Sequence, residues 1–233
     1  MLNDVFHYQV IRDNLGYLLC GNLTGGQPGG LLMTLFLALG SGLTAIVLGF
    51  PLAIAHWLGP RWLRRALTLA GEIVRGIPLL LLIFWLYFLL PMWLGQLAPD
   101  SASIIAALGL FNAVTVMISI RAGLDALPRG QEEAALASGL SRGQALRLVL
   151  LPQALSHMLP SFVNLFVALI KDTSLAFIVS IPELTMISSQ VNNREQIYPM
   201  EIFLFAGLVY FLLCGALSLG ATVLERRLRT GLR

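Results

Sequence analysis

The chain has little charge: 12% of its 233 residues are Asp, Glu, Lys or Arg and 57% are hydrophobic, whereas a soluble domain carries roughly 25% charged residues. Such a balance excludes an ordinary soluble domain and points to an integral membrane protein. Cysteine is almost absent. Cys20 and Cys214 lie far apart, which excludes both a disulfide framework and a zinc site built on paired cysteines. His7, His56 and His157 are scattered in the same way, so no metal site is expected. Lysine occurs once, at Lys171, and the other basic residues are arginines set along short connections without an interleaved aromatic platform. A net charge of +3 in that arrangement excludes a nucleic-acid surface and suits membrane topology instead. Asp4, Arg12 and Asp13 precede the first apolar run, so the basic start and early apolar core of a cleaved signal peptide are missing. The first long helix is expected to act as the insertion signal.

What the chain does have is long apolar segments. Five of them, at 30–56, 77–97, 101–121, 155–181 and 202–225, reach the ~20 residues needed to cross ~30 Å of hydrocarbon. No alternating ten-residue pattern of a barrel is present, so the expectation is an all-α membrane protein with five transmembrane helices in one domain, 1–233. One arrangement of five spans collects Arg61, Arg64, Arg65, Arg75, Arg121, Arg129, Arg142, Arg147, Arg226, Arg227, Arg229 and Arg233 on a single face. The excess of arginine marks that face as cytoplasmic, which places the N-terminus outside and the C-terminus inside. Met92, Trp93 and Asp100 then sit on an outer connection, where the aromatic ring suits the membrane interface.

The fourth span is irregular. Pro152 and Pro160 blur its start, and a helix from Leu155 to Ile170 covers about 24 Å at 1.5 Å per residue, short of a crossing. Lys171, Asp172, Thr173 and Ser174 would then break the helix inside the membrane at 171–174. A charge at such a depth costs at least ~2.5–3.5 kcal/mol and is by default a functional candidate. These four residues, with Asn164 two turns earlier on the same face, are the candidate ligand path. The competing reading has Lys171 reaching the outer interface and the hydroxyls bonding helix carbonyls.

The polar loop 130–152 reads as two short amphipathic helices broken at Gly139, with Ser141 placed to cap the second. Ala134, Ala135 and Ala137 give the first helix a small, closely approachable face, flanked by the carboxylates of Glu132 and Glu133. Docking into a groove on another protein and a plain solvated connector both fit these residues.

Glu133-Ala134-Ala135, Gly139, Val149 and Leu151-Pro152 at their spacing resemble the EAA motif of permease subunits of bacterial ABC importers, with valine where isoleucine is usual. Arg121-Ala122-Gly123-Leu124, Leu127-Pro128-Arg129-Gly130-Gln131, Val74-Arg75-Gly76-Ile77-Pro78 and Lys171-Asp172-Thr173-Ser174-Leu175 are similar to the polar amino acid permeases of that superfamily. The resemblance runs from about Gly30 to Arg227 in matching order. It implies a type I importer of two permease subunits, identical or paralogous, two ATPase subunits and an extracytoplasmic solute-binding protein that delivers a polar or charged amino acid. Glu132, Glu133, Ala134, Ala135, Gly139, Leu151 and Pro152 would form the coupling element to the ATPase. The chain lacks a G-x-x-x-x-G-K-[ST] loop, so ATP and Mg are expected on the partner, with no cofactor, metal or catalytic residue here. One departure stands out: where many such permeases have a glutamate three residues before the arginine of Arg121-Ala122-Gly123, this chain has Ile118. Two rival classes fit less well. A secondary transporter or channel subunit shares the interrupted helix but ordinarily needs inverted repeats, and an intramembrane hydrolase needs a nucleophile motif that is missing.

Overall fold

The computed structural model describes residues 7–94 and 100–231. The end of the second expected span, 95–97, and Arg233 lie outside the described residues, as do the side chains of Arg226, Arg227 and Arg229. The chain is helical nearly throughout. A short helix α1 (Tyr8–Cys20) leads through a two-stranded hairpin, β1 (Gly21–Asn22) and β2 (Gln27–Pro28), into the long helix α2 (Gly30–Leu58). Then come α3 (Arg61–Gly76), α4 (Leu79–Leu94), α5 (Asp100–Asp125), α6 (Arg129–Ala137), α7 (Arg142–Ala145), α8 (Leu151–Asp172), α9 (Leu184–Glu195) and α10 (Pro199–Gly231).

Four stretches among the described residues are long and apolar enough to cross a membrane: Gly30–Leu58, Asp100–Asp125, His157–Val179 and Pro199–Val223. A fifth crossing exists only if Arg61–Gly76 and Leu79–Trp93, bent by 96° to each other, count as one. α4 alone, at 16 residues, spans about 24 Å. The bend falls at Ile77-Pro78, where proline disfavours the helical conformation of the residue before it.

Charge that belongs to a connecting loop in the sequence reading is helical in the structure. Arg61, Arg65, Thr68, Glu72 and Arg75 recur at helical spacing along one side of α3, while Trp62 (69% exposed), Leu69 (59%) and Ile73 (59%) line the other. That is the pattern of an amphipathic helix with one charged and one apolar side. Arg64 turns back to cap α2, donating from Nε to the Gly59 carbonyl at 3.0 Å and from Nη2 to the Trp57 carbonyl at 3.1 Å.

α2 and α5 form the centre of the bundle. Side chains in lipid gain nothing by leaving water, so helices associate through close packing at small residues. A Cβ on Gly49 would strike the Ala113 carbonyl and stand 2.6 Å from Val116 Cβ, and one on Gly109 would stand 2.6 Å from Thr44 Cγ2. Around this seam Leu37, Ala45, Ile83, Ile104, Leu108 and Ile120 are fully or almost fully buried.

α8 begins at Leu151, not near Leu155. It follows α7 through one π-helical turn, Leu146–Leu150, and runs 22 residues, about 33 Å. The wide turn takes up the register that Pro152 disturbs, because a proline cannot donate to the carbonyl four residues back. At its end the chain does not unwind. It tightens into a 3-10 stretch, Thr173–Val179, and stops at Ser180, whose φ is 61°.

Beyond Ser180 a buried carboxylate ties the far end together. Glu183 is fully buried and caps α9, accepting from Thr185 N and Met186 N at 2.8 Å each. Tyr210 Oη of α10 donates to Glu183 Oε2 at 2.9 Å, Leu184 N donates to Thr34 Oγ1 of α2 at 3.1 Å, and Gly30 N donates to the Pro182 carbonyl at 2.8 Å. α1 joins the same corner through Tyr17, whose hydroxyl donates to Gln190 Oε1 at 2.6 Å, and through the Arg194 guanidinium, which donates to Asn14 Oδ1.

Burial raises the Glu183 carboxyl from 4.5 to about 7, against the lowering effect of the hydrogen bonds it accepts. The folded chain holds this proton in a range where the unfolded chain has lost it. Its contribution is therefore fully present below about pH 4.5 and disappears as pH rises through about 7. The thermal midpoint in detergent should rise by several degrees between about pH 8 and pH 5.5, as ~1 kcal/mol moves it about 2–4 °C at this size. Glu183→Gln should flatten that rise; an undiminished rise in the variant would assign the pH dependence to another group.

Candidate coupling loop and charged cavity

The loop between α5 and α8 is built by local rules. α6 ends at Ala137; Gly139, with φ of +88°, supplies the left-handed residue that closes it. Gly139 N donates to the Leu136 carbonyl at 3.0 Å and Leu140 N to the Ala135 carbonyl at 3.3 Å. Ser141 then caps α7 in a reciprocal box: its hydroxyl accepts from Gln144 N at 3.4 Å, and Gln144 Oε1 accepts from Ser141 N at 2.9 Å.

The alanine cluster does not form one outward face. Ala135 is 5% exposed and packs inward, whereas Glu133, Ala134, Ala137, Ser138 and Gly139 are exposed and Glu132 is half-buried. Behind them, Gln153 Nε2 donates to Gln131 Oε1 at 3.3 Å, linking the first turn of α8 to α6. Leu151 packs half-buried against the core, and Pro152 is exposed. The loop is thus fixed to α8 at its root and free at its tip.

Two crevices of about 270 and 380 Å³ separate α6 from the ends of α2 and α5, sharing Trp57, Asp125 and Glu132. Arg121 Nη1 donates to His56 Nε2 at 3.1 Å, so this ring nitrogen carries no proton. A larger cavity of about 580 Å³ lies between α3 and α5. Glu72 and Arg75 of α3 and Arg121 and Asp125 of α5 line it, beside Met117 and Ile118. Among the described residues none of these four charges forms an ion pair with another. An open cavity with unpaired charges of both signs and an apolar wall can take a small zwitterion.

The residues singled out on α8 divide between two environments. Asn164 and Lys171 are exposed on one face, and Gln153, His157 and Ser161 continue that polar face toward the loop. Asp172 and Ser174 are half-buried and Thr173 is fully buried. Thr173 Oγ1 donates to the Ile170 carbonyl and Ser174 Oγ to the Lys171 carbonyl, both at 2.7 Å. Both hydroxyls thus bond carbonyls of their own helix end. Asn112 of α5 also bonds its own helix, at the Leu108 carbonyl, 3.0 Å away.

Sequence reasoning missed the α3 contribution to the cavity, the His157–Ser161 continuation and Glu183. Helical periodicity in 61–75 and 153–171 carries the first two signals, and the position of Glu183 one residue before a helix carries part of the third. Among the described residues no group of His, Cys, Asp and Glu is arranged to hold a metal ion.

The family described as "Binding-protein-dependent transport system inner membrane component" matches residues 45–230. The "Probable glutamine ABC transporter permease protein GlnP" of Bacillus subtilis is 37% identical over 200 residues, covering 85% of this chain and 91% of that protein. The "Glutamate/aspartate import permease protein GltK" of Escherichia coli is 31% identical over 232 residues, covering 95% of this chain and 98% of that protein. A solved structure entitled "Crystal structure of an amino acid ABC transporter with histidines" superposes with a TM-score of 0.75 at 26% identity, covering 84% of this chain and 91% of that one. The helical bundle, the tethered loop and these matches together show that the chain belongs to the binding-protein-dependent transport inner membrane component family.

Proposed function

We propose that this chain is one permease subunit of an ATP-driven importer for a polar amino acid. Five crossings, with α3 and α4 together as the second, place the N-terminus outside and the C-terminus and loop in the cytoplasm. The arginines of α3, α5, α6 and the π turn gather at the loop end, which supports that orientation. A second permease subunit, two ATPase subunits and an extracytoplasmic solute-binding protein complete the assembly. ATP and Mg²⁺ bind on the ATPase, and this subunit performs no chemistry.

The observation that carries the proposal is the loop: in a member of this family, an exposed tip around Glu133–Gly139 turns through Ser138–Ser141 into a path that is helical from Arg142 into α8. The tip seats in a cleft of the ATPase. Closure of the ATPase pair pulls the tip, and the helical path from Arg142 to Val179 carries the motion into the membrane. The Glu183 cluster holds the far end to α2 and α10, so the path pivots there.

The ligand arrives from the binding protein and moves along the polar face of α8, past Lys171 and Asn164, toward the charged cavity. There Arg75 and Arg121 suit a carboxylate, and Glu72 and Asp125 suit an ammonium. Ile118 gives the side chain an uncharged wall. Relatives named for glutamine and for glutamate/aspartate support a polar amino acid as cargo.

Reconstituting the assembled importer tests this. Transport of an amino acid should require ATP and the loaded binding protein, and Gly139→Val should lower it at least about tenfold, because a β-branched residue strains the left-handed turn. Transport driven by an ion gradient with the lone chain would refute the proposal. Ile118→Glu should raise the preference for arginine over glutamine about tenfold, near 1.4 kcal/mol for one added charge pair. An unchanged preference would exclude the cavity from selection.

A further inference from the structure

A second, different site lies on the outside of the bundle. Between α2, α5 and α8 runs a groove of about 350 Å³, walled by Ile46, Phe50, Ile120, Leu155, Met158 and Phe162. Ile46, Phe50 and Leu155 are 48%, 43% and 53% exposed, so the groove opens to the surface. Every side chain lining it is apolar except that of Arg147 on the π turn. Arg147 is exposed and, among the described residues, its side chain makes no hydrogen bond or ion pair.

Length and charge identify the occupant. From Leu151 to Phe162 the α8 wall rises about 16 Å, half of the ~30 Å hydrocarbon thickness and therefore the depth of one leaflet. With the loop cytoplasmic, as proposed above, this is the inner leaflet, and Arg147 stands at the level of its headgroups. An apolar slot of that depth fits an acyl chain and offers nothing to the ammonium of an amino acid. A guanidinium without a partner at the mouth fits a phosphate, which it can hold through two parallel hydrogen bonds. Basic pockets between helices on the cytoplasmic side are suited to anionic headgroups.

We propose that this groove binds an anionic phospholipid of the inner leaflet, with one acyl chain between α2 and α8 and its phosphate on Arg147. Arg147 belongs to the turn that joins the coupling loop to α8, so a bound headgroup braces that joint. The lipid thereby supports transmission from the loop into the membrane. This consequence and the choice of leaflet rest on the importer reading; the binding of an anionic headgroup at Arg147 does not.

Native mass spectrometry of the full complex, titrated with phosphatidylglycerol or phosphatidylcholine, tests the site. Phosphatidylglycerol should remain bound after most detergent is stripped, and phosphatidylcholine should not. Arg147→Gln should reduce the phosphatidylglycerol-bound fraction at least about fivefold, a loss near 1 kcal/mol. Leu155→Trp, which fills the groove without touching Arg147, should do the same. In nanodiscs the complex should hydrolyse ATP several-fold faster with phosphatidylglycerol than without, and Arg147→Gln should remove the difference. Equal retention of both lipids, or retention unchanged in both variants, would overturn the assignment. So would a disulfide between two copies carrying Leu155→Cys, as that outcome puts a second subunit in the groove. Loss of lipid binding with ATP-driven transport intact would leave the importer reading standing and confine the error to the brace.

Discussion

The close approach of α2 and α5 is the constraint on which the bundle depends. In hydrocarbon, apolar side chains are no better off against each other than against lipid, so contact area and depth decide the packing. Gly49 and Gly109 let the two helices meet with backbone against side chain, and a methyl group at either position would have to displace its neighbour. From that seam α3 and α4 hang on one side and α8 on another, and the charged cavity and apolar groove open at its margins. Enlarging either glycine would move both openings at once.

Against this frame stands a single long lever. α7, the π turn, α8 and the 3-10 stretch succeed one another with no extended residue from Arg142 to Ser180. A π turn in the middle of such a path accommodates Pro152 while the chain stays helical. At one end the path is tethered to α6 through Gln153 and Gln131, and at the other it meets the Glu183 cluster. In the proposed cycle a lever held at its far end and pushed at its tip moves most near the tip, beside the crevices between α6 and the ends of α2 and α5.

What the sequence discloses follows the range of the forces involved. The turn at Gly139 and the cap at Ser141 depend on residues three or four apart, and both form as their chemistry dictates. Apolar runs at 30–56 and 101–121 disclose α2 and α5 because every backbone group in lipid must be bonded within its own helix. α3 escapes a search for unbroken apolar runs because it is amphipathic, with charged or polar residues recurring every three or four positions along one side. The start of α8 escapes because proline is read as a helix terminator, whereas a π turn accommodates it. Glu183 escapes for a different reason: Tyr210, which donates to it, and Thr34, which accepts from the neighbouring Leu184 N, are distant in sequence, and nothing local announces them.

The most direct test of the lever is a pair of distances measured by electron spin resonance in the assembled complex, with and without ATP. Labels at Gln144 and Ser180 report the length of the lever, and labels at Gln144 and Leu69 report its position against α3. A rigid lever predicts an unchanged first distance and a shifted second distance when ATP binds. If the first distance changes as much as the second, the π turn or the 3-10 stretch bends, and motion at the loop does not reach the membrane as a unit.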